Sequence, residues 1–380
     1  METISFARGI PAPECIPVDE LADCARAAIE QGGAEVLSYG PGGGYPPLRA
    51  WLGGRYGVEP ERVVVTNGSL QGFVFLAERL AAGKRVLVEA PTYDRPLRIL
   101  ARLGAEVVAL PMDDEGLDPD ALARVLRDGP APAFLYTIPT FQNPSGRTLS
   151  LERRRRLVEL AREADLLVLE DDPYGLVRYE GEPLPSLFEL DGGERVAYSS
   201  SFSKTIAPGT RVGYFVLPAP LEADLEALAV STYITPALVS QATVHEFLAR
   251  GNFEPNLERV RRLLGARRDA MLAALEREVP DDADWGRPDG GYFVWLDLPG
   301  EASVADLLPR AEAAGVTFVA GTDFYPRARG GASSARLAFS FVSLGEIDEG
   351  VKRLAELLRD GAAAGTTGTE AALRAGRSRG

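Results

Sequence analysis

Histidine is almost absent from this 380-residue sequence: His245 is the only one, set in the helical pattern LVSQATVHEFLARG. That scarcity argues against a His-rich metal site and against a Ser-His-Asp triad, so any catalysis rests on other groups. Cysteine is scarce too. Cys15 and Cys24 form no CxxC, which excludes a disulfide framework and a zinc site and fits a reducing cytoplasm. No apolar run approaches the length needed to cross a bilayer. The N-terminus, METISFARGIPAPECIP, lacks the basic and apolar regions of a secretory signal. An excess of positive charge is also missing. With 41 basic against 55 acidic residues the net charge is −14, which argues against nucleic acid or an anionic membrane as the main partner. Among the 41 basic residues only Lys84, Lys204 and Lys352 are lysines.

What is present is an ordinary globular composition, 46% hydrophobic, in a length that suggests two or three domains. Residues 1–35 read as an arm followed by a helix, expected to pack with a small C-terminal domain. Residues 36–58 open as a Gly/Pro-rich ordered loop. From residue 59, short apolar runs alternate with helical patterns. The runs are Val63–Thr66, Arg85–Glu89, Glu106–Leu110, Ala133–Thr137, Leu166–Glu170, Val196–Ser199 and Val212–Leu217; helices are expected at Ser69–Ala82 and Ser150–Glu163. Near-continuous apolar strands between helices imply βαβ units and a mostly parallel, seven-stranded, doubly covered sheet. A helical region spans 221–279. Residues 281–359 then read as a smaller α+β domain with strands in GGYFVWLDLP, GVTFVA and ARLAFSFV, leaving 36–280 as the large domain. The stretch 360–380 reads as a disordered tail.

In open parallel sheets, ligands bind beyond the carboxyl ends of the strands. Five predicted strand ends lead into NGSLQG, APTY, TFQNPSG, DDPYG and SFSK. Each segment alone is ordinary turn chemistry. Asn67-Gly68-Ser69-Leu70 opens a helix, where free N–H groups and the dipole favour a phosphate, yet Asn67 or Ser69 serves equally as a plain cap. Arg211 offers a bidentate clamp for the same anion, with hydroxyls from Ser201 and Ser203, or is a surface arginine opening a strand. Asp171 and Asp172 are adjacent acids; a buried carboxylate needs a cationic partner, which a protonated pyridine nitrogen would supply. Tyr174 can point back into the crevice. Asn143 offers an amide to a phenolate-type oxygen, or is a turn residue before Pro144. Tyr93 offers a flat ring for stacking. Lys204 sits in SSSFSKTIAPGTRVG, and an amine, unlike a guanidinium, can lose its proton and attack a carbonyl. Taken together, these groups specify pyridoxal 5'-phosphate: lysine for the Schiff base, acid for the ring nitrogen.

The motifs SYGPGGGYPPLR, TNGSLQG, EAPTY, NPSG, EDDPY, SFSKTIAPGTRVG and RLAFSF, in that order, resemble the class I/II aminotransferases of fold type I, in particular the branch holding kynurenine/2-aminoadipate aminotransferases and the effector domains of MocR-type regulators. The resemblance spans about Ile4 to Leu358. It implies an α/β fold type I transferase that moves an amino group between an L-amino acid and a 2-oxo acid, with 2-oxoglutarate as the expected acceptor. It implies Lys204 as the cofactor-bearing lysine and proton-transfer base, Asp171 on the pyridine nitrogen, Asn143 and Tyr174 on the ring oxygen, and Tyr93 stacked on the ring. Ser69, the Leu70 backbone, Ser201, Ser203 and Arg211 would hold the phosphate. Tyr39 would reach the phosphate of the neighbouring subunit, implying a homodimer with shared sites. Arg336 would take the substrate α-carboxylate, with Asn143 beside it, and Gly9 belongs to a segment closing over the substrate. Leu70 stands where relatives often carry Gln, so only a backbone contact carries over. Arg8 stands where relatives have Gly, either an exposed arm residue or a contact for an acidic substrate. The same cofactor also serves elimination, decarboxylation and cyclisation. A ligand-sensing module without turnover is the reading from another class; the match begins within the first ten residues, so no upstream winged helix is expected.

Overall fold

The structure, a computed structural model, describes residues 3–219, 221–298 and 302–377, with side chains to residue 360. Its centre is an eight-stranded sheet in the order Val63–Thr66, Gly213–Val216, Val196–Ser201, Val168–Asp171, Leu135–Thr137, Arg85–Ala90, Glu106–Asp113, Gly116–Leu117. The strands from Val196–Ser201 through Glu106–Asp113 pair in parallel, whereas Gly213–Val216 runs against both of its neighbours. All seven expected strands are present. The eighth, Gly116–Leu117, is a two-residue hairpin return at the edge, too short to leave a period in the sequence.

The strands read as continuous apolar runs because both faces are covered. Val63, Val65, Leu87, Val168 and Val196 enter one core; their neighbours Val64, Val86, Val88, Leu169 and Ala197 enter the other. This alternation decides the site, since one residue of register moves a side chain to the opposite face.

A second core lies around a four-stranded antiparallel sheet, ordered Asp284–Trp285, Phe293–Asp297, Ser334–Ala338, Val319–Ala320. Only the arm joins this side, Ile4–Ser5 pairing in parallel with Val316–Thr317; the helix Val18–Val36, expected to pack with the small domain, instead sets Cys24 in the large core and Ala28 and Val36 against Ala242. The helix Phe253–Glu278 links the two cores, with Phe253 and Leu257 in the large one and Met271 and Leu275 in the small one. Its 26 residues span about 39 Å. The helical region 221–279 is therefore three helices, Leu221–Tyr233, Leu238–Ala249 and Phe253–Glu278. Pro236, which fixes φ and lacks an N–H, follows the first break, and Gly251 with φ 75° makes the second. The last helix runs Leu344–Arg377; the expected tail at 360–380 lies almost wholly on residues whose side chains are outside the described set.

Gly213 shows how closely sheet and helix meet at the strand ends. A Cβ there would drive into the backbone nitrogen of Ser69, at the start of the helix Ser69–Leu80. Gly213→Ala is therefore expected to cost about 1–3 kcal/mol by overpacking. Thermal unfolding checks it, and an unchanged midpoint would contradict this close approach.

Candidate active site

Beyond the carboxyl ends of the parallel strands lies a cavity of about 380 Å³. Of the site residues expected from sequence, Ser69, Leu70, Tyr93, Asn143, Asp171, Tyr174, Ser201, Ser203, Lys204, Arg211, Gly9 and Arg336 all line it. Tyr39 and Arg8 do not. Tyr39 is 79% exposed. The Arg8 guanidinium lies 5.2 Å from the Phe341 ring centroid, on the outer side of the arm.

At one end, the helix Ser69–Leu80 begins with Gly68 as its cap residue, φ 89°, and no side chain caps it. The alternative in which Asn67 or Ser69 merely caps is thus not what the chain does. Asn67 instead accepts from the Ala237 N–H through its side chain, 3.2 Å. Glycine suits this position because its φ of 89° is one that side chains rarely adopt, and the Arg211 guanidinium lies where a Cβ would be. Arg211 holds a left-handed φ of 54°. The Ser201 hydroxyl donates to Ser203 Oγ at 2.8 Å, so both hydroxyls face the same corner. Uncapped N–H groups, two hydroxyls and a guanidinium make a cradle suited to a phosphate.

In the middle, Asp171 ends its strand facing the cavity. The Tyr136 hydroxyl donates to its Oδ2 at 2.7 Å, while Oδ1 is buried with no partner. Burial, reinforced by nearby Asp172 and opposed by Tyr136 and Ser199, pushes the Asp171 carboxyl up to about 6. An N–H⁺ donor set against Oδ1 would reverse that cost. Tyr93, the cap residue of the helix Asp94–Arg102, and Tyr174 stand around the same space. Burial raises both phenols, Tyr93 to about 12 and Tyr174 further.

The Lys204 amine donates to the Gly9 carbonyl at 2.7 Å and lies 5.1 Å from the Tyr292 ring centroid. Burial lowers its pKa to about 8, with Arg336 and Arg211 adding repulsion from either end. At the far end Arg336 lies over the Phe293 ring, 4.3 Å to its centroid. It donates to Asn143 Oδ1 at 3.0 Å and to the Ala7 carbonyl at 2.9 Å, while its buried Nε has no partner.

Sequence reading missed Tyr136, Ser199 and Phe293. Tyr136 and Ser199 sat inside runs read as strand filler, yet register gives them away: Tyr136 pairs with Leu169 and Ser199 with Asp171, which places both on the cavity face. The described residues hold no cluster suited to a metal, and no helix among them is long and apolar enough to cross a membrane.

The donor set fits pyridoxal phosphate: an anion cradle at a helix start, a buried carboxylate oxygen lacking a donor, and a poised amine. Comparison with known proteins agrees. The family model for aminotransferase class I and II matches residues 16–354. The chain is 41% identical to the 2-aminoadipate transaminase of Thermus thermophilus, covering 94% of this chain and 90% of that one. It is 36% identical to aromatic-amino-acid aminotransferase 1 of Thermococcus litoralis, covering 94% and 88%. The solved α-aminoadipate aminotransferase from Thermus thermophilus, complexed with N-(5'-phosphopyridoxyl)-L-leucine, superposes with a TM-score of 0.90 at 39% identity, covering 95% of this chain and 93% of that one. The cavity chemistry and these likenesses meet in one conclusion: the chain belongs to the class I and II aminotransferases and is a pyridoxal-phosphate-dependent transaminase of fold type I.

Proposed function

We propose that the chain transfers the amino group of an L-amino acid to a 2-oxo acid, 2-oxoglutarate among them, at the cavity around Lys204. The observation that carries this reading is the convergence, in one cavity, of the Lys204 amine and the unpartnered Oδ1 of Asp171. Bound pyridoxal phosphate supplies an aldehyde carbon and an electron-accepting ring.

The residues then take these parts. Ser69, the Leu70 N–H, Ser201, Ser203 and Arg211 hold the phosphate. The unpartnered Oδ1 of Asp171 would accept from a ring N–H⁺ and favour its protonated form. Asn143 and Tyr174 donate to the ring oxygen, and Tyr93 stacks on the ring. Arg336 binds the substrate α-carboxylate, its guanidinium fixed by Asn143 and the Ala7 carbonyl. Lys204 Nζ would take the proton from the substrate Cα and give it back; with its affinity lowered by burial and two guanidiniums, it can both take and release a proton near neutrality. Gly9 and Ile10 wall off the substrate side.

The same reading includes a homodimer working in a reducing cytoplasm. Cys15 and Cys24 are buried free thiols. Val18, Ile29, Leu37, Tyr39, Val230 and Ile234 are exposed apolar or aromatic side chains. The Tyr39 loop lies against the segment after the helix Leu221–Tyr233, since Gly40 N donates to Thr235 Oγ1 at 3.3 Å. A second copy covering this face would bring each Tyr39 to the other copy's phosphate cradle.

Three outcomes are expected. With an amino donor and 2-oxoglutarate, Lys204→Ala lowers turnover by at least about 10²–10⁴-fold while still binding the cofactor non-covalently. Wild-type protein that takes up no cofactor would sink the assignment, and release of ammonia or carbon dioxide would redirect it to elimination or decarboxylation. The rate at which the unloaded chain binds pyridoxal phosphate covalently should rise with pH and level off above about 8, because the amine attacks only when neutral and its pKa lies near 8 rather than 10.5. Stopped-flow absorbance reads it, and a rise continuing to 10.5 would contradict the buried, repelled amine. Tyr39→Phe should weaken cofactor retention about tenfold although Tyr39 is remote from its own cavity, by loss of one hydrogen bond to a charged group. Equilibrium dialysis checks this, and unchanged retention would remove Tyr39 from the site.

A further inference from the structure

The pair Asp171–Asp172 stands out in the sequence, yet the reaction described above uses only the first. Successive strand residues point to opposite faces, and the register shows which neighbour each acid meets. Asp171 pairs with Ser199 and faces the cavity; Glu170 pairs with Tyr198, so Tyr198 and Asp172 share the far face. There Asp172 is held at every polar atom. Its Oδ1 accepts from the Gly175 N–H at 2.7 Å and its Oδ2 from the Tyr198 hydroxyl at 2.9 Å. Its carbonyl accepts from the Ser200 hydroxyl at 2.7 Å, and its N–H donates to the Ser199 carbonyl at 2.8 Å.

These contacts close the turn Asp171–Gly175, which carries both Asp171 and Tyr174 into the cavity. Gly175 is needed for it, because a Cβ there would lie 2.5 Å from Asp172 Oδ2. Both carboxylate oxygens act as acceptors, so the group needs no proton of its own. The residue is half-buried, so its charge is only partly screened from its neighbours.

We propose that Asp172 is a positioning residue for Asp171: it clamps the turn that aims Asp171 at the cofactor ring, and from the far face of the sheet its negative charge strengthens the hold on the proton shared by Asp171 and the ring nitrogen. The proposal rests on the assignment of Asp171 to that nitrogen. It gives the second acid of DDPY a reason to be charged, where an asparagine would close the same turn.

The groups facing both acids are consistent with this role. Behind Asp172, the Tyr198 ring packs tilted against that of Tyr56, 5.0 Å between centroids, and the Tyr56 hydroxyl meets that of Tyr214 at 2.7 Å. Burial raises the Asp172 carboxyl above its usual range; the Tyr198 hydroxyl, the Gly175 N–H and the Arg154 guanidinium from the helix Leu151–Glu163 pull it back, and Glu189 adds to the rise. Glu170 and Arg178 also feel the Asp172 charge. On the cavity face Asp171 meets Tyr136 and Ser199, with the Asp172 charge raising its proton affinity. Buried Glu89 and Tyr93 feel Asp171 in turn. Four of the five Arg154 N–H donors go to the carbonyls of Leu149, Pro139 and Pro185 and to Thr140, and Arg154 acts on Asp172 by charge and not by a hydrogen bond.

The test uses Asp172→Asn in the cofactor-loaded protein. An asparagine keeps both contacts, its oxygen accepting from Gly175 and its amide donating to the Tyr198 oxygen, and removes only the charge. The ring nitrogen is followed by nitrogen-15 NMR of labelled pyridoxal phosphate across a pH titration. Deprotonation of that nitrogen should move to lower pH by on the order of one unit in Asp172→Asn. Tyr198→Phe, which removes one hydrogen bond that keeps Asp172 charged, should move it in the same direction by less. A midpoint unchanged in both variants, or moved to higher pH, overturns the proposal. If the nitrogen-15 signal of wild-type protein shows no dependence on Asp171, tested by Asp171→Asn, the assignment of Asp171 fails instead. The carbon-13 carboxyl titration of Asp171 in the unloaded chain, expected at lower pH in Asp172→Asn, then decides between the two failures.

Discussion

The site depends on one buried charge. Asp171 ends a strand covered on both faces, and only one of its two carboxylate oxygens finds a donor, from Tyr136. Burying an ionised carboxylate without full pairing costs several kcal/mol. A chain that retains such a group at the floor of a cavity reserves the missing donor for something that enters. The rest of the architecture sets that group in place. Parallel pairing of Val168–Asp171 with both neighbours fixes its height, Ser199 and Tyr136 share its face, and the Asp172 contacts fix the turn beyond it.

Around this negative floor the cations are divided by chemistry. Arg211 stands at the helix start and Arg336 over Phe293, each where a fixed positive charge and a planar fork are useful. Lys204 lies between them, and their repulsion joins burial in weakening its grip on a proton. An arginine in the middle would stay charged and could form no bond to a carbonyl carbon. A chain that writes arginine for nearly every cation thus has a lysine at the cavity position where burial and two guanidiniums lower proton affinity.

Much of this was legible in the sequence because it is periodic or chemically restricted. The strand Val63–Thr66 falls where its β-branched run places it, and twelve of the expected site residues line one cavity. What escaped notice is what only pairing reveals. Tyr136 looks like core filler in AFLYTIP until register sets it beside Leu169, two residues before Asp171 on the same face. The strand pairing of Ile4–Ser5 with Val316–Thr317 joins segments more than 300 residues apart, and two-residue strands carry no period. Arg8 drew attention through its charge, but its neighbour Gly9 takes the inward position. The Gly9 backbone packs so closely on Phe293 that a Cβ would sit 2.5 Å from the ring, leaving Arg8 to turn outward over Phe341.

That arm also explains how two separate cores build one cavity. Residues 7–10 are tied at successive carbonyls, Ala7 to Arg336, Gly9 to Lys204 and Ile10 to the Ser340 hydroxyl. Farther on, Arg267, itself buried, pairs with Glu14, and Arg259 donates to the Glu14 carbonyl. Both arginines lie on Phe253–Glu278, the helix shared by the two cores. The arm is therefore fastened to the small sheet at one end and to the bridging helix at the other, with its middle forming the cavity wall. Because that wall is mostly backbone, it supplies closure without a side-chain preference of its own. The side chains lining the cavity beside that backbone include Ile10, from the arm itself, and Arg95, whose partner Asp94 at 3.7 Å is closer to Arg98 at 3.2 Å.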